Sequence, residues 1–142
     1  MLNEYMLSIG YTINQINKIK NTYPVCHLKE DTLLNSVKTT YNFFIKYGYT
    51  KEEIIKMTTT SPHIYELSID NIKEKIDSFT SFGYKKEEII KISKTLPTVI
   101  SSISNNNLQN KIKFLLSLGL NNQKIIHISK KLPAIYTYSI DY

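Results

Sequence analysis

Apolar side chains recur at helical spacing after each of the four glycines in the chain. Counted from the glycine, the sixth residue is always isoleucine, and the ninth is isoleucine or methionine. Residues three or four apart share one face of an α-helix. These two positions, with the seventh and the thirteenth, therefore predict one buried helix face, made by Ile16, Ile19, Ile54, Ile55, Met57, Ile89, Ile90, Ile92, Leu96, Ile125, Ile126, Ile128 and Leu132.

A second apolar pattern precedes the last three glycines. The residues one, four, seven and eleven positions before each of them are apolar or aromatic, which again defines one helix face. Glycine has no Cβ and tolerates positive φ, so each glycine is predicted to close this helix in the left-handed conformation. The residues are Val37, Tyr41, Phe44, Tyr47, Ile72, Ile76, Phe79, Phe82, Leu108, Ile112, Leu115 and Leu118.

Polar and proline residues set the predicted helix ends. Thr12 with Gln15, and Thr50 with Glu53, fit the capping box, so a helix should begin two residues after each glycine. A proline follows each glycine by fourteen residues and cannot continue a helix. The predicted helices are Thr32–Tyr47, Thr50–Thr60, Asp70–Phe82, Lys85–Thr95, Leu108–Leu118 and Asn121–Lys131, with no β-strand.

The glycine-to-proline step is an internal repeat. Successive glycines are 38, 35 and 36 residues apart, and all 4 glycines and 4 prolines belong to the pattern. Such a period is typical of stacked supersecondary units. The sequence therefore predicts an all-α fold, an α-solenoid in a single domain, with repeat steps at about residues 1–31, 32–69, 70–105 and 106–142.

Each unit resembles the repeat of the mitochondrial transcription termination factor (mTERF) family. The resemblance is carried by GYTKEEIIKM, SPHIYELSIDNIKEKIDSF and FGYKKEEII, and it covers nearly the whole chain. It implies two α-helices and a short 3-10 turn per repeat, stacked into a curved superhelix whose basic concave face binds nucleic acid. It also implies a role in transcription termination or regulation, or in RNA maturation.

Charge is distributed unevenly along the chain. Residues 1–84 hold nine lysines and nine carboxylates, so the formal net charge of +6 resides in residues 85–142, and no acidic residue occurs from Ile89 to Ile140. A stretch of one sign attracts phosphates. The predicted nucleic-acid-binding residues are Lys91, Lys94, Lys111, Lys113, Lys124, His127, Lys130 and Lys131.

The same residues have a plainer interpretation in part of the chain. Lys56 and Lys91 each follow a glutamate by four residues, as in ordinary exposed helix pairs. In the last repeat Gln123 replaces that glutamate, which favours binding. Arginine, which reads guanine through two hydrogen bonds, is absent, so we expect phosphate contacts with little sequence preference. The sequence does not decide between DNA and RNA, and duplex DNA is the ligand that we expect.

Tyrosine, cysteine and histidine are predicted to be structural. Most tyrosines fall at repeated positions and should pack, whereas Tyr138 and Tyr142 are also candidates for stacking on bases. Cys26 is predicted to be a core thiol, and His27 to be packed beside it. We find no spacing that indicates a metal site, a catalytic group or a cofactor, so no enzyme activity is expected. No apolar run is long enough for a membrane helix.

Both ends of the chain fall inside a repeat. An uncapped C-terminal face predicts either a truncated chain or a surface that packs on something else, a protein partner or a second copy. A tail folding back over the last helices is an equal alternative. The alternative function is therefore a protein-interaction solenoid. The N-terminus shows no signal or transit segment, so we expect an organellar protein to lack its presequence here, and a bacterial one to be cytoplasmic.

Overall fold

The computed structural model of the chain describes residues 1–137, and the helices lie where the periodicity predicts them. No strand occurs in this range, and no predicted helix end differs from the observed one by more than three residues. The helices are α1 (Leu2–Ser8), α2 (Ile13–Asn21), α3 (Glu30–Tyr47), α4 (Lys51–Thr60), α5 (Ile69–Phe82), α6 (Lys86–Thr95), α7 (Thr98–Ser101), α8 (Asn105–Ser117) and α9 (Asn122–Lys131).

Local chemistry explains where the helices begin and end. Both predicted capping boxes are present, with the Thr12 and Thr50 hydroxyls accepting from the backbone N–H three residues later. Gly48 ends α3 at a φ of 128°, a conformation that side-chain-bearing residues rarely adopt. Its N–H donates to the Phe44 carbonyl. Each glycine therefore turns the chain directly into the next helix.

The prolines stop the helices as predicted. Helix α4 ends before Pro62, and α6 ends before Pro97. After three of the four prolines the chain forms a 3-10 turn, and after Pro97 it forms the short helix α7 instead. The chain is thus an all-α helical-repeat protein, with two helices and a short turn in each repeat.

The chain divides into two compact units. The N-terminal unit is Met1–Asn71 and the C-terminal unit is Ile72–Tyr142. In the first, α2 packs on α4 and α1 packs on α3; in the second, α6 packs on α9. The single domain with four repeat steps and the curved superhelix stay predictions.

The core follows the sixth and ninth positions after each glycine. All four isoleucines at the sixth position are fully buried, as are Ile19, Met57 and Ile92 at the ninth. Burial varies at the seventh position, because Ile55 and Ile90 are only partly buried whereas Ile126 is buried. Leu132 was predicted on this face but is 47% exposed, since it follows the end of α9 and no longer shares the phase of the helix.

Buried hydroxyl groups join consecutive repeats within each unit. The Tyr11 hydroxyl lies 2.5 Å from both the Thr58 and the Tyr65 hydroxyls. The C-terminal unit repeats this arrangement, because the Tyr84 hydroxyl bonds to Ser129 at 2.6 Å and to Tyr136. In both units the tyrosine after a glycine reaches into the next repeat. The predicted packing role of these tyrosines is confirmed, and Tyr138 and Tyr142 lie outside the described residues.

The predictions that Cys26 is a core thiol and that His27 is packed beside it are wrong. Both side chains are exposed, and the His27 ring forms a T-shaped contact with the Tyr23 ring, at 5.3 Å between centroids. In this turn Val25 is the buried residue. The apolar side chain follows Pro24 directly here, whereas in the second turn the buried Ile64 lies two residues after its proline. Aligning the turns on their prolines therefore assigned the wrong residue to the core.

We expect Ile89→Ala to lower the free energy of unfolding by about 2 to 5 kcal/mol, the usual cost of truncating a fully buried isoleucine. Urea unfolding monitored by circular dichroism measures the change. Ile90→Ala is the matched control and should cost less, because Ile90 is only partly buried. Equal losses in the two variants would show that the helix phase is wrong.

We also expect stability to fall between pH 10 and pH 12. Burial raises the pKa of Tyr11 from its ordinary value of 10.0 to about 12. A group whose pKa is raised on folding stabilises the fold fully below its unfolded pKa, and this contribution is lost as the pH rises through the folded pKa. Calorimetry across this range should show a steep fall in the Tm of the wild type. The fall should be less steep for Tyr11→Phe, and for the exposed Tyr23→Phe it should be as steep as for the wild type. A flat Tm would contradict the prediction.

Candidate nucleic-acid interface

Helices α6 and α9 hold most of the predicted basic residues on the side away from their shared core. The two helices pack together, with Ile89, Ile92, Ile125 and Ile126 buried. A helix that buries one face presents the opposite face to solvent. Five of the predicted residues are exposed on these helices, and we call them the α6–α9 basic face: Lys91, Lys94, Lys124, His127 and Lys131.

The other three predicted residues do not belong to the α6–α9 basic face. Lys113 is exposed but lies on α8, apart from the α6–α9 basic face in sequence. Lys130 is partly buried and forms an ion pair, and Lys111 is only 7% exposed. The structure therefore exposes five of the eight residues on one pair of helices and leaves Lys111 buried.

Lys130 holds α9 to the first turn of α6. Its Nζ lies 2.9 Å from Glu88 Oε2, while Glu88 Oε1 accepts the Lys85 backbone N–H at 2.8 Å. The hydrogen bond from Lys130 is the main cause that lowers the pKa of Glu88, and the bond from the Lys85 backbone adds to it. Glu88 and Lys130 are therefore paired with each other within the protein.

Lys111 is a buried lysine, and counting charges along the sequence does not distinguish it from the exposed lysines. Lys75 stands at the same place, eight residues before a glycine, and is equally buried. Its Nζ donates to the carbonyls of Ile100 and Ile103, and burial lowers its pKa. Thr40, also eight residues before a glycine, is buried as well. The position eight residues before a glycine is thus buried in all three of these repeats, and the run of lysines around Lys111 did not indicate this.

The N-terminal unit offers a matched surface with a different charge balance. Lys18 on α2 and Lys56 on α4 stand eight residues after their glycines, as Lys91 and His127 do on α6 and α9. All four side chains are exposed, so the eighth position faces away from the core, as predicted. Residues 1–71, which form this unit, hold seven lysines and seven carboxylates, so the lysines are balanced by charges of opposite sign.

The described part of the chain shows neither a metal site nor a membrane helix. Across residues 1–137 no three His, Cys, Asp or Glu side chains come together in a way that could hold a metal ion. None of the helices in this range combines the length and the apolar character needed to span a bilayer.

Paired helices and the turns that follow each proline define a helical-repeat protein. The chain belongs to the mTERF family, whose family model matches residues 25–142. A search of curated proteins found no significant match. Membership of this family supports a helical-repeat protein that binds nucleic acid.

We expect Lys130→Gln to destabilise the protein by about 0.5 to 1 kcal/mol at neutral pH, the range for a partly exposed ion pair. The lowered pKa of Glu88 means that the pair stabilises the fold above the ordinary value of 4.5 and that this contribution is lost as the pH falls through the folded pKa. The difference from the wild type should therefore shrink on acidification, as urea unfolding would measure. Lys131→Gln should have no such effect, and a pH-independent loss in Lys130→Gln would contradict the assignment.

Proposed function

We propose that the chain binds nucleic acid through the α6–α9 basic face and acts in transcription termination or regulation, or in RNA maturation. Duplex DNA is the preferred ligand in this proposal. Membership of the mTERF family supports the general activity. The choice of face and of ligand rests on the charges and their exposure.

The observation that carries the proposal is the one-signed exposed surface of α9. Lys124, His127 and Lys131 recur at three- and four-residue spacing, so they lie along one side of the helix, and α9 contains no carboxylate. On α6 the nearest opposing charge is Glu87, since Glu88 is engaged by Lys130. Lysines arranged in this way neutralise phosphates and release the counterions that surround duplex DNA.

The chemistry of lysine determines the kind of binding. Its ammonium group is a compact charge on a flexible chain and forms no rigid two-pronged contact with a base. Arginine is absent from the sequence, so phosphate contacts dominate. Affinity should therefore depend strongly on salt and only weakly on base sequence.

We expect the affinity for a duplex DNA of about 20 base pairs to fall steeply with salt. If about four side chains each neutralise one phosphate, the logarithm of affinity should fall against the logarithm of salt concentration with a slope of about −3.6. Fluorescence anisotropy at several salt concentrations measures the slope. An unrelated duplex of equal length should compete almost equally, and single-stranded RNA should bind less tightly.

Charge reversal should locate the interface. The triple variant Lys91→Glu, Lys94→Glu and Lys131→Glu should lose binding, because it places carboxylates where phosphates would lie. The matched control reverses three exposed lysines of the N-terminal unit, Lys18, Lys46 and Lys56. Both variants have the same net charge, so a difference in their affinity for DNA depends on where the reversed lysines lie. Equal losses in the two variants, or no binding by the wild type at low salt, would refute the proposal.

A further inference from the structure

His127 occupies a position that carries lysine in the other three repeats. Counted from the glycine, the eighth residue is Lys18, Lys56, Lys91 and then His127. All four side chains are exposed. Lysine keeps its positive charge at neutral pH, whereas histidine ordinarily changes its charge between pH 5 and pH 8. The α6–α9 basic face therefore contains one side chain whose charge depends on the pH of its surroundings.

The exposure of the eighth position does not depend on the presence of a following repeat. In the N-terminal unit the next repeat packs α4 on α2, and Lys18 of α2 is exposed all the same. In the C-terminal unit α9 packs on α6, and Lys91 of α6 is exposed in the same way. A further helix laid on α9 in this manner would leave the eighth residue, His127, in solvent.

Three lysines are the neighbours of His127 on its own helix. Lys124 precedes it by three residues, and Lys130 and Lys131 follow it by three and four, the spacings at which side chains meet on a helix surface. Lys131 is exposed, whereas Lys130 is paired with Glu88 at 2.9 Å. Because α9 contains no carboxylate, no acidic side chain of this helix competes with a phosphate for a protonated imidazole.

The elements packed against α9 add one carboxylate that Lys130 does not engage. These elements are α6 and the 3-10 turn Pro133–Tyr136. The turn holds one titratable group, the buried Tyr136 hydroxyl, and burial raises its pKa, so it stays neutral. On α8, the preceding helix, the titratable residues are both lysines. The charged residues of α6 are Lys86, Glu87, Glu88, Lys91 and Lys94.

We propose that nucleic-acid binding at the α6–α9 basic face is coupled to the uptake of a proton at His127. This inference rests on the proposed function and adds its regulation by pH. A phosphate beside the imidazole favours the protonated form, because an opposite charge at short range stabilises a cation. The protonated ring in turn neutralises a phosphate that the neutral ring does not. Affinity should therefore rise as the pH falls from 8 to 6.

Fluorescence anisotropy with one DNA duplex at pH 6 and at pH 8, at equal ionic strength, tests the proposal. We expect the wild type to bind about threefold to tenfold more tightly at pH 6. Since one more phosphate is then neutralised, the slope of log affinity against log salt should be steeper at pH 6 by up to about 0.9. Calorimetric titration at pH 7, in two buffers of different ionisation enthalpy, should show that the protein takes up protons on binding.

Two substitutions at one position make the test specific. His127→Gln removes the charge and should bind at both pH values about as weakly as the wild type does at pH 8. His127→Lys restores the residue of the other repeats and should bind at both pH values about as tightly as the wild type does at pH 6. The matched control is His27→Gln, at an exposed histidine of the N-terminal unit, which should keep the pH dependence of the wild type. Circular dichroism at both pH values checks that the variants stay folded.

The outcomes separate this inference from the proposed function. Equal affinity of the wild type at the two pH values, or a pH dependence that His127→Gln retains, would overturn the coupling at His127 and leave DNA binding itself intact. No binding at low salt at either pH would overturn the proposed function and this inference together.

Discussion

The turn at each glycine is the constraint on which the other features depend. It closes one helix with a positive φ, and after Gly10 and Gly83 it brings the following tyrosine inward, so that the tyrosine hydroxyl reaches the next repeat. The sixth residue then falls on the core side of the next helix and is fully buried in all four repeats. Because the eighth residue lies on the opposite side, the same turn that builds the core also determines which charges face solvent.

Periodicity and turn chemistry were sufficient to predict the helices from the sequence. Thr50 with Glu53 identifies a helix start because the capping box satisfies specific backbone groups, and Pro62 identifies an end because its ring cannot continue a helix. These effects are local, so they can be read without knowing the fold. How deeply a side chain is buried depends on the packing of neighbouring helices and is not a local property. Ile90 illustrates this, because it lies on the same predicted helix face as the buried Ile89 and yet is partly exposed.

The candidate site was less predictable for the same reason. A run without carboxylates identifies a basic region, but it does not reveal that Lys111 is buried or that Lys130 is held by Glu88. Both facts depend on how neighbouring helices pack. Comparing Lys111 with Leu115, which lies four residues later on the predicted apolar helix face, would have indicated its burial. Cys26 shows the limit of comparing equivalent positions between repeats, because the first turn buries its neighbour instead.

The central claim is that charge exposed by the packing of α6 on α9 binds nucleic acid. Its most direct measurement is the rate at which each lysine is acetylated, followed by mass spectrometry, with and without duplex DNA. The account predicts slower acetylation of Lys91, Lys94 and Lys131 in the complex. It also predicts unchanged rates at the exposed Lys18, Lys46 and Lys56 of the N-terminal unit. Protection of this second set, or equal protection of both, would contradict the account.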